Sequence, residues 1–360
     1  MTTTLEYRKV RPVPTWKTRS GTSFFLSCRS LSCALGVLWL LDGALQLQSF
    51  MFTKGFAHQI IAPSAVGQPW FVSEPVRWNA LLITHYPVLC NSFFAAVQLA
   101  IGVGFLIPRL RRPAIVASVL WAGGVWYAGE GLGGVAGGHA NALVGAPGAA
   151  VLYGVLAVAA WPGTHSGVDH QPQRPPYWLL PVWAVLWVGG AVLDLLPGNR
   201  PASTFSAQLA ANASSVPQWL ARFDDGLGRG VHSMGFSATI VVVALELAIG
   251  LAALGPRPAR SIFIVTGIVL AAVYWAAGQS FGQLLSGQAT DPSTGPLLIL
   301  VGIAALSVRP RIAMRTLHEA YGESITRRGR CRCDLHSLIT REPVETSSVP
   351  VRERSKNGAK

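Results

Sequence analysis

Long apolar runs separated by short polar segments are the dominant pattern along the chain. A helix needs about 20 mostly apolar residues to cross a bilayer, and eight runs approach that length. The pattern therefore predicts an all-α integral membrane protein with eight transmembrane helices. We place these helices at residues 24–45, 87–107, 113–129, 143–161, 177–197, 232–254, 261–277 and 293–309.

Composition supports a membrane location. The 360 residues are 51% hydrophobic and only 12% charged, and the mean hydropathy is +0.40. An ordinary soluble domain carries about twice that fraction of charged residues. The lipid bilayer is therefore the first predicted partner.

The distribution of basic residues predicts the orientation. The formal net charge is +13, and of the 29 Lys and Arg residues only five fall in segments assigned to the outer side. Those five are Lys54, Arg77, Arg200, Arg222 and Arg229. The positive-inside rule then places both termini in the cytoplasm of a bacterial inner membrane. The basic residues are not interleaved with aromatic residues as in a nucleic-acid-binding module, so we expect no nucleic-acid partner.

A Gly-rich stretch occurs twice. Residues 125–147 and 273–296 share glycines, an aromatic pair and a closing proline in the same order, and residues 97–102 align with 245–250. This order indicates two tandem four-helix bundles that arose by duplication. The predicted domains are a cytoplasmic segment at 1–23, a first repeat at 24–161, a linker at 162–176, a second repeat at 177–309 and a basic tail at 310–360.

A polar stripe crosses two of the predicted helices. Glu246 lies mid-helix, where a charge costs at least ~2.5 kcal/mol, and Thr239 and His232 precede it at intervals of seven, which predicts one shared face. In the first repeat Gln98 and Asn91 occupy the aligned positions. Two interpretations remain open: hydrogen bonding between helices, or a site that binds a proton or a ligand.

The Gly-rich stretches carry further polar candidates. Non-helical backbone at membrane depth must be buried in protein or line water, so Glu130, His139 and Asn141 are predicted to border an outward-facing pocket. Residues Gln279, Gln283, Gln288, Thr290 and Asp291 are predicted to lie opposite. Gln279 and Gln288 replace Glu130 and His139 in the second copy. The alternative is that these residues only pack the turns.

Two acidic residues recur at helix ends and the histidines are scattered. Asp42 and Asp194 close the first helix of each repeat, where they would act as caps or loop anchors or form part of a site. The histidines His58, His85, His139 and His232 show no metal-ligand spacing, and we predict no metal site.

The layout resembles the DoxX-like and DoxD-like membrane protein family. The resemblance rests on a long first outer loop, a basic turn at 108–113, and the Gly-rich segments Gly129-Glu130-Gly131 and Gly278-Gln279-Ser280. The resemblance implies a membrane subunit that works with a redox partner near quinone, and it identifies no catalytic residue. Members of the family are usually single four-helix units, whereas this chain has two units and a basic tail.

The expected function is that of a non-catalytic membrane subunit of a redox or quinone-linked system. Quinone is then the candidate cofactor and a separate oxidoreductase the candidate partner. A small-solute or proton-coupled transporter that uses the polar stripe is one alternative, and a membrane scaffold or assembly factor is another.

Overall fold

The fold is taken from a computed structural model that describes residues 26–163, 173–211 and 217–308. The described residues are helical or lie in turns and loops, and no strand occurs among them. Residues 1–309 and 310–360 form two separate units, and every described residue belongs to the first. The predicted N-terminal segment, most of the predicted linker and the predicted tail lie outside the described residues.

Eleven α-helices form within the described ranges. They are α1 (Cys28–Leu45), α2 (Trp70–His85), α3 (Pro87–Leu106), α4 (Arg111–Ala128), α5 (Ala149–Ala159), α6 (Leu179–Asp194), α7 (Ala202–Ala211), α8 (Gln218–Met234), α9 (Phe236–Ala252), α10 (Arg257–Ala276) and α11 (Thr294–Leu306). Short 3-10 turns at Leu132–Gly137 and Ser280–Gln283 lie within the two Gly-rich stretches.

Three of the described helices are long and apolar enough to cross a membrane: α1, α3 and α10. A fourth span results if α8 and α9 are counted together, but they meet at Gly235 with a bend of 103°. The apolar helices α5, α6 and α11 have only 11, 16 and 13 residues. At 1.5 Å per residue, α5 is about 17 Å long, well short of a ~30 Å hydrocarbon core. The structure confirms an all-helical chain with three or four candidate spans, and the count of eight stays a prediction.

The outer surface of α10 is a continuous apolar stripe. Ile262, Val265, Val269 and Val273 follow one another at helical spacing and are all exposed, Ile262 at 65%. Large contiguous apolar patches are rare on soluble monomers. The stripe is therefore the surface expected where a helix faces lipid.

Close helix crossings hold the bundle together. Where α1 crosses α3, a Cβ added to Gly102 would lie 2.9 Å from the carbonyl oxygen of Gly36. Where α6 crosses α9, a Cβ on Gly250 would lie 3.0 Å from the carbonyl oxygen of Ala184. Small residues allow this approach of two backbones, which is the usual way that helices associate in membranes. In both places the glycine sets how closely the two helix backbones can approach each other.

The helices form two groups. In the first, α1 packs on α3, and α4 packs on both α3 and α5; in the second, α6 packs on α9, and α10 packs on both α9 and α11. Helix α11 also contacts α5 and α6, so it connects the two groups through one continuous apolar core.

The segment before α3 is not a plain loop. Residues 49–65 form short 3-10 and π turns that pack with α2 around Met51, Phe56 and Ile83. Trp70 and Trp78 of α2 remain 78% and 70% exposed. Exposed indoles of this kind favour the headgroup zone of a bilayer. These turns and α2 cover one end of the first helix group, and Phe56 and Asn79 reach the site described next.

Candidate functional site

A cavity of about 270 Å³ lies among α1, α3, α4 and α5, where the first Gly-rich stretch begins. This volume is near the lower limit of the ~300–1,000 Å³ that is typical of small-molecule sites. Its walls are largely apolar and aromatic, and they include Trp39, Phe56, Phe94, Trp121, Val125 and Ala150. The cavity therefore suits a compact ring or a similar apolar group.

Three carboxyl groups from three elements also line this cavity. Asp42 comes from the last turn of α1, Glu130 follows α4, and Asp291 precedes α11 and so comes from the second helix group. Among the described residues that form the cavity wall, none is a Lys, Arg or His. The three acids therefore lack a compensating cation at the site, and each raises the cost of ionising the others.

Glu130 is held by the first turn of α5. Its Oε1 accepts a hydrogen bond of 3.0 Å from the backbone N–H of Ala150, one of the amides that a helix N-terminus leaves unpaired. Burial, with a smaller contribution from the charge of Asp291, raises the pKa of Glu130 to about 8. Glu130 is thus protonated at neutral pH and can donate a hydrogen bond into the cavity.

Asp291 is held by its own loop. Its carboxylate accepts hydrogen bonds from the Thr290 hydroxyl at 2.8 Å and from the Ser293 backbone N–H at 2.7 Å. Burial raises the pKa of Asp291 despite both bonds. The loop fixes the position of this carboxyl beside Asp42 and Glu130, with which it interacts electrostatically.

Three oxygen atoms around the cavity are buried without a hydrogen-bond partner. They are Oε1 of Gln46, Oε1 of Gln98 and Oε2 of Glu130, whereas the hydroxyl of Tyr153 interacts with the Asp42 carboxyl. More than nine in ten buried polar groups in folded proteins are paired, and an unpaired one costs about 1–3 kcal/mol. Three around one cavity favour a bound molecule that completes these bonds.

The cavity opens on the outer surface of α4. Leu120 and Gly124 are one turn apart, both line the cavity and both are exposed, Leu120 at 72%. A Cβ built on Gly124 would meet nothing within 4 Å. This part of the surface of α4 is apolar, as is the exposed stripe of α10.

The buried carboxyl of Glu130 gives a pH-dependence that can be measured. Its pKa of about 8 exceeds the usual 4.5, so the folded state holds the proton more tightly than the unfolded state. The Glu130 contribution to stability is complete below about pH 4.5 and is lost as the pH rises towards about 8. We expect Glu130→Gln, which keeps an acceptor for Ala150, to match the wild type near pH 4. Above about pH 8 the variant should be more stable by about 4–5 kcal/mol.

Unfolding of the purified protein across this pH range tests the expectation. Glu74→Gln is the control, because Glu74 is exposed and pairs only with Arg77 of its own helix. The Glu74 variant should follow the wild-type pH profile. A Glu130→Gln variant with the wild-type profile would show that this carboxyl does not titrate as described.

A second acidic cluster lies in the other helix group. Glu246 is fully buried on α9, and its Oε1 accepts a hydrogen bond of 2.8 Å from the hydroxyl of Tyr274. Asp194 at the end of α6 is 1% exposed and close enough to interact electrostatically with Glu246. One oxygen of each carboxyl, Oε2 of Glu246 and Oδ1 of Asp194, has no partner. Trp187 packs on Tyr274 with ring centroids 6.2 Å apart, so aromatic side chains border this cluster.

The predicted stripe through Glu246 is only partly right. Thr239 is buried on α9 and its hydroxyl donates to the carbonyl of Arg200. His232 lies on α8, beyond the bend at Gly235, and is exposed. The assumption of one straight helix was wrong here, because Gly235 adopts φ +58° and breaks it. His232 therefore does not lie on the helix face that carries Glu246, despite its spacing in the sequence.

The matching pair in the first group stays on one helix. Asn91 and Gln98 are both buried on α3. The Asn91 amide donates to the carbonyl of Gln46 at 2.6 Å, whereas Gln98 faces the cavity. Asn91 thus fixes the backbone beside the site, and Gln98 belongs to it.

The residues predicted to border one outer pocket are divided between two clefts. Glu130 and His139 line a cleft of about 280 Å³, whereas Gln279 and Gln288 line another of about 380 Å³. Asn141 is fully buried, and its amide donates to Gln208 of α7 at 2.9 Å. Asn141 therefore joins the first Gly-rich stretch to the second helix group.

The two Gly-rich stretches make the same contacts. The indole N–H of Trp126 donates to the carbonyl of Pro147 at 2.7 Å, and that of Trp275 donates to the carbonyl of Pro292 at 2.8 Å. Four residues after each tryptophan, Oε1 of Glu130 or of Gln279 accepts from a backbone N–H at the start of α5 or α11. Positive-φ glycines, Gly133 and Gly282, pack against the same two prolines. Trp126 therefore corresponds to Trp275, and by the same offset Val125 corresponds to Tyr274.

Sequence reasoning found Asp42, Gln98, Glu130 and Asp291 but did not select Tyr153. Tyr153 lies within an apolar helix, where a tyrosine gives no periodic signal. Asp291 was expected opposite Glu130, and although it belongs to the second helix group it lines the same cavity as Glu130.

Among the described residues, no group of three or more His, Cys, Asp or Glu side chains is arranged to hold a metal ion. Comparison of the chain with protein-family models, with curated proteins and with solved structures finds no match.

Proposed function

We propose that the chain is a membrane subunit of a quinone-linked redox system and that its cavity binds a quinol from the bilayer. The observation that supports the proposal is an apolar cavity of about 270 Å³ that opens on an exposed apolar helix surface and holds three buried, unpartnered oxygen atoms. A quinone supplies two-electron, two-proton chemistry when bound. The residues of this chain would bind it, orient it and exchange its protons.

The unpartnered atoms favour the reduced form of the ligand. The amide oxygens of Gln46 and Gln98 accept hydrogen bonds, and with these oxygens turned towards the cavity the ligand supplies the O–H or N–H donors. A quinol has two hydroxyl donors on an aromatic ring of suitable size. Protonated Glu130 can donate in return to a ring oxygen. With the amides in this orientation, the site fits a quinol better than a quinone.

The mouth of the cavity favours a ligand that travels in lipid. Leu120 and Gly124 are exposed on an apolar helix surface, and quinones partition into the hydrocarbon region because of their isoprenoid tails. A ring could enter between these residues while its tail stays in lipid. Such entry would require no movement of α1 or α3.

The architecture that accompanies this function is a tandem pair of four-helix units. The recurring indole–proline and helix-start contacts support a duplication of the DoxX-like kind. In this proposal Val125 leaves the first unit open, whereas Tyr274 at the corresponding position fills the second and bonds to Glu246. The first unit would bind ligand, a separate oxidoreductase chain would supply the redox centre, and both termini would lie in the cytoplasm of a bacterial inner membrane.

A second candidate is proton-coupled transport of a lipophilic organic cation. It is favoured by the three acids that line the cavity without a cation and by the aromatic walls around them. A cation over an aromatic face gains about 0.5–2 kcal/mol. The two candidates differ in the charge of the ligand that they require.

Equilibrium binding to the purified protein in lipid nanodiscs distinguishes them. We expect decylubiquinol or menadiol to bind saturably and about tenfold more tightly than the matching quinone, a difference of about 1.4 kcal/mol. Tetraphenylphosphonium, a permanent lipophilic cation, should neither bind nor compete. Competition by the cation, stronger at high pH, would instead support the transporter. Absence of saturable quinol binding would refute the quinol proposal.

A further inference from the structure

Two cavities meet at one pair of residues. The lipid-facing cavity and a polar cleft of about 380 Å³ are both lined by Thr290 and Asp291. The cleft has a different chemistry, because four glutamines, Gln208, Gln279, Gln283 and Gln288, contribute to its wall. An apolar ligand cavity thus adjoins a water-compatible cleft, and the Asp291 carboxyl lies between them. Glu130 lines the same cavity and also the separate cleft of about 280 Å³.

The loop aims the Asp291 carboxyl at this junction. Its two oxygens accept separate hydrogen bonds, Oδ2 from the Thr290 hydroxyl and Oδ1 from the Ser293 N–H. The titratable groups that face it are Asp42 of α1, Glu130 after α4, and Tyr153 of α5. No basic side chain lines either cavity among the described residues. Asp291 therefore interacts electrostatically with acids on one side and lines the polar cleft on the other.

We propose that Asp291 is the point at which protons pass between the lipid-facing cavity and the polar cleft. A proton leaves the Asp291 carboxyl for water in the cleft, and the resulting carboxylate takes up a proton from the cavity side, where Glu130 and Asp42 lie. The cavity acid that gives up its proton is reprotonated from the ligand side, so the charge of the site is unchanged after each cycle. Asp291 carries only protons, and the electrons of the quinol leave through the separate oxidoreductase of the proposed function. The proposal rests on the quinol function only for the source of the protons.

A thiol at this position tests whether water reaches it. In a variant without the five native cysteines, Asp291→Cys in nanodiscs should react with a charged, water-soluble methanethiosulfonate. The control is Gly124→Cys at the lipid-facing mouth, which should react at least about tenfold more slowly with this reagent yet normally with a lipid-soluble maleimide. Thr290→Cys, which lines both cavities, replaces Asp291→Cys if that variant does not fold.

A pH jump tests whether the carboxyl transfers protons. The infrared carbonyl band of protonated Glu130, assigned by its loss in Glu130→Gln, reports how fast the cavity follows the pH of the medium. Asp291→Asn should slow this response by about tenfold or more, and Asp291→Glu should restore it. A thiol that does not react, or an unchanged rate in Asp291→Asn, would overturn the inference.

Neither measurement uses a quinone. If the protein passes both tests but binds no quinol, the proton path is supported and the proposed function is refuted. If it binds quinol but fails both tests, the proposed function is supported and the proton path is refuted.

Discussion

Replacing Gly124 with tryptophan is expected to weaken quinol binding by ~100-fold, or about 2.8 kcal/mol, without unfolding the protein. Gly124 lies at the mouth of the cavity, and a side chain added there meets no atom within 4 Å. An indole brings about 200 Å² of surface to an opening bordered by Leu120. Replacing a mid-helix glycine also removes a helix penalty of about 1 kcal/mol, so stability should not fall.

Gly123 provides the matched control. It is the preceding residue of α4, it is exposed, and its added Cβ also meets nothing within 4 Å, but it does not line the cavity. Gly123→Trp should bind quinol like the wild type. Alkylation of a Gly124→Cys thiol after folding blocks the same opening without any effect on folding. Normal binding in both blocked forms would show that ligand does not enter between Leu120 and Gly124.

Gln98→Leu is expected to raise the stability of the ligand-free protein and to lower its affinity for quinol. Gln98 is 7% exposed on α3, lines the cavity, and its Oε1 has no partner. Removing an unpaired buried acceptor should stabilise the ligand-free protein by about 1–3 kcal/mol. The bound quinol then loses one hydrogen bond, and its affinity should fall by about tenfold. If Gln98 only packed the helices together, its replacement would not raise stability while lowering quinol affinity.

Glu246→Gln is the control for this pair of effects. Glu246 is aligned with Gln98 but lies against Tyr274 in the other helix group, and a glutamine there can still accept the tyrosine hydroxyl. We expect normal quinol affinity in this variant. Loss of stability in Gln98→Leu, or unchanged affinity, would mean that Gln98 is a packing residue. Loss of affinity in Glu246→Gln would place the ligand in the second group.

The sequence pattern located helices well where the apolar run was uninterrupted. The predicted runs 24–45, 87–107 and 261–277 correspond to α1, α3 and α10, the three helices long enough to span. The pattern overestimated the helix at 143–161, because turns up to Gly148 occupy the first part of that run and α5 begins at Ala149. Hydropathy counts apolar residues but does not register the positive φ of Gly145 and Gly148.

The site was predictable where it depended on one helix and not where it depended on packing. Glu130 and Gln98 were selected because polar groups are costly at membrane depth, and both line the cavity. The prediction for His232 was wrong, because a seven-residue interval implies one shared face only if the helix continues past Gly235. Tyr153 of α5 meets Asp42 of α1 only after these helices pack, and Asp291 reaches them only after the two helix groups associate. A single sequence carries no periodic signal for either contact.

The most direct test of the quinol site is photo-crosslinking in native-like lipid. An azido-quinone would be illuminated with the protein in nanodiscs, and the modified residues identified by mass spectrometry of peptides. The account predicts saturable modification on the segment of α4 from Leu120 to Ala128 and on Phe94, which decylubiquinol suppresses and which Gly124→Trp abolishes. Modification that does not saturate, or that falls mainly on the exposed stripe of α10, would contradict the account.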